Sequence, residues 1–173
     1  MGVESSALVK SLLELEATDR RAMAVLCRSL AFAPGTWPPA YGYVEHFVDG
    51  ENISPQQRNA AYLTAGLFAM YRKHCDGISV GRAFGQLAQK RPAGKSVEKR
   101  FLWLLGADDD LLPSRLRQAF SLLGAGDIGL DYDRLLTDLT WWRTDSRNVQ
   151  QRWASDYYRR GRAAMAGQNV QDA

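Results

Sequence analysis

Between Leu130 and Arg160 two helical patterns stand back to back, and this segment restricts the possible folds more than any other. An apolar run at helix spacing ends in Trp141-Trp142. The residues Arg143-Thr144-Asp145-Ser146-Arg147 form a tight joint. A second pattern then places Val149, Trp153 and Tyr157 at i, i+4 and i+8 on one inward face. From Arg134 to Arg162 there are seven arginines (134, 143, 147, 152, 159, 160 and 162) against the aspartates Asp138, Asp145 and Asp156, with no Cys, His or Glu. Such a segment can pack a helix pair and present guanidinium groups to an anion. It cannot by itself bind zinc or supply a nucleophile–base pair. It points toward a polyanion and away from catalysis.

Helix spacing continues along nearly the whole chain. Leu8, Leu12, Leu13 and Leu15 follow a polar start, and Thr18 and Asp19 can cap a second helix with Ala22, Met23, Leu26 and Leu30 in one stripe. Ala31–Ala40, with Pro34, Gly35, Pro38 and Pro39, cannot be helix and is the clearest linker. Tyr41–Val48 can form a short helix. In Ser54-Pro55-Gln56-Gln57, Ser54 can cap, Pro55 suits the first helical position and Gln57 can reach back. That helix is expected to run through Leu63, Leu67 and Met70 to about His74, with a stop near Gly77. Ser79 is expected to cap a helix containing Ala83, Leu87 and Ala88, Arg91–Lys95 to form a loop, and Ser96 to cap a helix with Val97, Phe101 and Leu104 inward. Asp108-Asp109-Asp110 leads into a helix facing inward with Leu112, Leu116, Phe120 and Leu123 and broken by Gly124, Gly126 and Gly129. Asp131 caps Tyr132–Trp142, and Thr144 or Asp145 caps the last helix.

No strand alternation of useful length and no repeat period occurs. The expectation is an all-α bundle of roughly eight or nine helices. It forms one domain over 1–160, with an N-terminal lobe over about 1–90 and a C-terminal lobe over about 91–160, and a frayed tail over 161–173. Charge and cysteine usage set the class of partner. The net charge of +3 and pI near 9.0 lean mildly toward nucleic acid, and the excess lies after Asp19, because Met1–Asp19 holds four acids and one lysine. Cys27 and Cys75 are too few and too far apart for a disulfide framework, which fits a reducing compartment. No segment has a signal-peptide layout and no apolar run could span a membrane. The reading is a soluble cytoplasmic protein without membrane contact.

Candidate chemistry is sparse. Gly94-Lys95-Ser96 is similar to the end of a phosphate-binding loop, but Gln89 stands where that loop needs glycine, and no strand precedes it. A single phosphate could still sit at such a helix start, although an ordinary cap explains it better. Asp108-Asp109-Asp110 suits a helix dipole better than a cation, because consecutive residues rarely converge. His46 and His74 are the only histidines. His74 and Cys75 are neighbours expected on different sides of a helix, so no nucleophile pair forms. Gly77, Gly81 and Gly85 suggest a cap and a close helix approach. No metal, cofactor or catalytic residue is expected.

Cations gather at helix starts and joints instead. Lys99, Arg100 and Trp103 lie away from the inward face of their helix, so Trp103 should be exposed or half-exposed beside a cation. Arg115 and Arg117 are two apart and cannot share a direction, leaving one as a candidate internal ion-pair partner. Arg143 and Arg147 flank the joint. Phosphates suit arginine's fork, and each contact releases counterions. Among the aromatics, Trp142 and Tyr158 are placed outward, while core filling and base stacking remain alternatives for the group.

These pieces, in order, resemble one family. They are Gly77-Ile78-Ser79-Val80-Gly81-Arg82-Ala83; Glu98-Lys99-Arg100-Phe101 with Leu104-Leu105 and Ala107-Asp108; Leu116-Arg117 with Leu122-Leu123; and Leu130-Asp131-Tyr132 with Leu135-Leu136, Asp138-Leu139 and Trp141-Trp142. Over about Gly77–Tyr158 the chain is similar to the CasB family, the small subunit of the Cascade surveillance complex in type I-E CRISPR systems. Before that the match is loose, through a basic helix with Arg20, Arg21 and Arg28. The resemblance implies an all-helical, non-enzymatic subunit present as two copies. It would contact the large subunit and the backbone filament and line a basic path beside the crRNA–target DNA hybrid and the displaced strand. Carried onto this sequence, the implied nucleic-acid-binding positions are Arg28, Lys99, Arg100, Arg115, Arg117, Arg143 and Arg147, with Arg82 structural. Thr144 and Asp145 depart from the more basic joint of the family. The rival reading is a helical protein–protein interaction module whose arginines only make ion pairs and interface contacts.

Overall fold

The computed structural model describes residues 5–91 and 95–168, with side chains over 7–91 and 96–159. Nine α-helices lie among them: α1 (Ser5–Thr18), α2 (Arg20–Ser29), α3 (Tyr41–Val44), α4 (Pro55–Met70), α5 (Val80–Lys90), α6 (Lys95–Leu105), α7 (Leu112–Ala125), α8 (Tyr132–Thr140) and α9 (Asn148–Gln168). Among the described residues there is no strand, only an isolated parallel bridge between His74 and Leu130. The all-α expectation holds. No helix among these residues is long and apolar enough to cross a membrane.

Four of the helices begin where a side chain replaces a missing backbone acceptor. Asp19 Oδ1 accepts from the Arg21 and Ala22 amides at 2.9 and 3.0 Å. The Ser54 amide donates to Gln57 Oε1 at 2.8 Å while Ser54 Oγ accepts from the Gln57 amide at 3.2 Å, a complete capping box. Ser79 and Asp131 cap α5 and α8 through the amides of Arg82 and Arg134.

The core forms around α4, which is buried on every side from Ala60 to Ala69. α1, α2, α7 and α8 cover it. Gly66 admits Leu30 and the Leu26 carbonyl from α2, and Phe68 meets Tyr132 of α8 edge-on at 5.0 Å. α5 lies against α9, where a Cβ at Gly81 would stand 2.1 Å from the Trp153 carbonyl oxygen. One hydrophobic cluster runs from Leu8 to Trp153 and draws on both expected lobes.

Several boundaries differ from expectation. Pro38–Ala40 forms a 3-10 turn inside the linker, because the two prolines already hold helical φ values. Tyr41–Val48 divides into α3 and a second 3-10 turn, Glu45–Phe47. α4 ends at Met70 rather than near His74. Tyr71 turns extended (φ −137°, ψ 98°), and the following residues pair with Leu130, whose carbonyl accepts from the Cys75 amide at 2.9 Å. His74 and Cys75 therefore lie on no helix. α6 begins at Lys95, which puts Ser96 inside it. Residues 92–94 of the expected loop, and the Lys95 side chain, lie outside the described residues. α8 stops at Thr140, where the amides of Trp141 and Trp142 turn back to the Asp138 and Leu139 carbonyls. Neither Thr144 nor Asp145 caps α9. Two successive turns carry the chain to Arg147, which takes a left-handed φ of 51° directly before the helix. The α9 backbone runs to Gln168, and 169–173 lie outside the described residues.

Candidate nucleic-acid interface

Burial on α6 decides which of its side chains face out. Val97, Phe101 and Leu104 are in the core, so helix spacing turns Lys99, Arg100 and Trp103 to the surface. Trp103 is 49% exposed. Lys99 Nζ stands 5.0 Å and Arg115 Cζ, from α7, 5.2 Å from its ring centroid, both within cation–π range. Arg115 thus packs half-buried on an indole rather than on a carboxylate, which corrects the ion-pair expectation. Two positions on, Arg117 diverges from it and is exposed.

Three adjoining hollows collect four of the five other candidate cations. The first, about 660 Å³, is walled by Arg100, Trp103, Arg117, Gln118 and Ser121 and has no carboxylate in its lining. It shares Ser114 and Arg117 with a central hollow of about 570 Å³ between the Ala31–Pro34 loop, the start of α4, the start of α7 and the end of α8. Trp142, Arg143 and Asp109 connect that one to a third, about 350 Å³, which also holds Arg147 and Gln150. The four cations Arg100, Arg117, Arg143 and Arg147 thus line one succession of hollows. Arg28 is exposed on α2 and does not line these three.

The succession is not uniformly basic. Asp109 and Asp110 line the centre, and Arg143 Nε pairs with Asp109. Asp108 and Asp145 line the third hollow, where Arg147 donates to the Leu105 carbonyl and so fixes the joint against the end of α6. Elsewhere arginines act within the fold. Arg82 and Arg134 both donate to the Gly77 carbonyl. Arg58 pairs with Glu45 and lies over Tyr62, and its hydrogen bond holds the Glu45 carboxyl below the usual range. Arg152 pairs with Asp138, which also accepts from Trp153 Nε1 at 2.6 Å. Burial pushes the Asp138 carboxyl up in spite of both partners.

The aromatic expectations divide. Trp142, placed outward in the sequence reading, is buried: its indole donates to the Ala107 carbonyl at 3.2 Å and packs on Trp153, leaving its neighbour Trp141 58% exposed. Tyr158 is exposed, but its hydroxyl donates to Glu98, which pushes that hydroxyl up to about 12, with burial adding to the shift.

The fold also makes a cluster that the sequence reading missed. Ligand atoms of His74, Asp131 and Asp133 lie within 4.8 Å of one another, because the bridge brings His74 to the start of α8. Both oxygens of Asp131 are engaged by the amides of Gly77 and Arg134, and the His74 nitrogens face Asp76 and the Tyr132 amide. Only their long-range pairing reveals the group, since 54 residues separate Gly77 from Asp131.

Comparison with known proteins gives one answer. The family model described as CRISPR-associated protein Cse2 matches residues 22–158. A protein of that name from Thermus thermophilus is 45% identical over 141 residues, which are 81% of this chain and 80% of the relative. The crystal structure of a Cse2-family protein from the same organism is 40% identical with a TM-score of 0.80, over 90% of this chain and 98% of that one. A chain of a solved CRISPR RNA-guided surveillance complex shares the fold at 23% identity and a TM-score of 0.77, over 94% of this chain and 96% of that one. With the matched model covering all seven of the candidate cations, the chain belongs to the Cse2 family of CRISPR-associated proteins, whose members are also called CasB.

Proposed function

We propose that this protein is a non-catalytic, sequence-tolerant nucleic-acid-binding subunit of a type I-E CRISPR effector complex. In that role it stabilises the crRNA–target DNA hybrid and the displaced strand during antiviral defence in the cytoplasm. Its partners there are the large subunit, the backbone subunits and a second copy of itself. The observation that carries the reading is the convergence of Arg100, Arg117, Arg143 and Arg147, from separate segments, on adjoining hollows. Arg28, Lys99 and Arg115 extend the contact set. Family membership and the shared fold of a surveillance-complex chain support it.

Exchanging a DNA duplex for a guide–target hybrid is nearly balanced in free energy, so a few phosphate contacts decide whether the open state persists. Such contacts need not distinguish bases, because guide pairing already reads the sequence. The test is salt dependence. Log affinity for a single strand should fall against log salt with a slope of about −0.7 per phosphate contacted. Lys99→Glu, Arg100→Glu and Arg143→Glu together should flatten the slope with helical content unchanged. A triple variant that binds like the wild type rejects these positions. The rival reading, a protein–protein module, draws on the exposed Leu102, Leu111 and Trp141 and on the intramolecular contacts of Arg143 and Arg147. It requires that salt leave association with other subunits intact and that nucleic acid not bind.

A further inference from the structure

We propose that the Trp103 indole, with Lys99 and Arg115 over its ring and the hollow of Arg100 and Arg117 beside it, is a stacking platform for one unpaired base of single-stranded DNA. The inference rests on the nucleic-acid reading above and goes beyond it, since phosphate contacts alone need no aromatic.

Four observations separate Trp103 from the other exposed rings. It is 49% exposed, with no ring stacked on it among the described residues. Lys99 Nζ and Arg115 Cζ lie over its ring, 5.0 and 5.2 Å from the centroid; a base takes the ring face by displacing the tip of the flexible Lys99 side chain, and the strand flanking it then finds positive charge at the platform itself. The hollow it opens on has no carboxylate in its lining, unlike the two that follow. Two of the competing rings are engaged: Phe32 stacks on Trp37 at 5.4 Å and 5°, and Tyr158 is bonded to the Glu98 carboxylate. Trp141 opens on a recess that also lacks a carboxylate, but the one cation in that recess, Arg143, is paired to Asp109. Stacking tolerates any base because every base has a π-face, and the cations supply a term that tolerates any sequence. Bases within a guide–target hybrid are paired and cannot reach an indole at the surface. A released DNA strand offers unpaired ones.

The experiment compares the full-length protein on an oligothymidylate strand and on an abasic DNA strand of equal length, each titrated with salt. The wild type should prefer the strand with bases. Trp103→Ala should weaken oligothymidylate binding about tenfold, leave the abasic affinity unchanged and leave the salt slope of both intact. Trp103→Phe should restore most of the loss, and Leu102→Ala, on the same helix and 47% exposed, should change neither affinity. A Trp103→Ala variant that binds both strands like the wild type, or that weakens both equally, overturns the platform and leaves the nucleic-acid reading standing. A wild-type protein that binds neither strand at low salt overturns both.

Discussion

Gly81 sets the distance between α5 and α9. A Cβ there would stand 2.1 Å from the Trp153 carbonyl oxygen and 2.7 Å from its Cα, and backbone cannot yield without moving the helix. Gly81→Ala should therefore cost about 3 kcal/mol, read as a lower urea midpoint at unchanged slope. Asp138 ties the same helix to α8. Removing its carboxylate in Asp138→Ala leaves the buried Trp153 N–H without an acceptor and should cost about 2–3 kcal/mol. Asp138→Asn keeps an acceptor and should cost less, with a pH dependence of fixed sign. The folded carboxyl binds its proton more tightly than the unfolded one, so Asp138's contribution shrinks as pH rises from the unfolded value of about 3.9 through the raised folded one. Asparagine does not titrate, so the stability gap between wild type and Asp138→Asn should move in the variant's favour over that window. A gap that moved the other way would mean that the ion pair with Arg152 outweighs burial. At this scale the sequence showed that Gly81 allows close approach, because a small residue among helical neighbours has few other uses. It did not show which of Trp141 and Trp142 is buried, because adjacent positions at a helix end have no periodicity to separate them. Nor did it separate Arg152, locked on Asp138, from Arg117, whose guanidinium faces an open hollow.

Four helix starts were legible because a cap is local: donor and acceptor lie within three residues at Asp19, Ser54, Ser79 and Asp131. Boundaries that distant segments set were not. α4 stops where its continuation pairs with Leu130, and α9 starts where Arg147 meets the Leu105 carbonyl. Neither partner lies within a sequence window. The 3-10 turn at Glu45–Phe47 shows the same dependence on a remote element, since Glu45 reaches Arg58 and Tyr62 on α4. The Arg58 hydrogen bond holds the Glu45 carboxyl below its ordinary value. That stabilisation is present above the unfolded pKa of about 4.3 and is lost as pH falls through the depressed folded value. Melting temperature should drop as the protein is acidified through this range, and Glu45→Gln should make that part of the profile flatter. An identical acid limb in the variant would assign the loss to other carboxylates.

For the whole molecule, a net charge of +3 says little about where an anion would bind, because the surface divides into basic and mixed stretches. The hollow of Arg100 and Arg117 has no carboxylate in its lining, whereas the next two contain Asp108, Asp109, Asp110 and Asp145. If Arg143 is to meet a phosphate, that phosphate must compete with Asp109 for the guanidinium. Arg143 is 63% exposed at its side chain and Asp109 36%, so their pair contributes at most about 1 kcal/mol to folding. Asp109→Asn should therefore leave the urea midpoint nearly unchanged while releasing Arg143. The salt slope for single-stranded DNA should steepen by about 0.7, one additional phosphate contact, with tighter binding at low salt. Adding Arg143→Gln to that variant should return the slope to its starting value, which separates a released arginine from the simple loss of a negative charge. If Asp109→Asn leaves the slope unchanged, Arg143 lies off the path of the strand, and the basic surface that matters ends at Arg117.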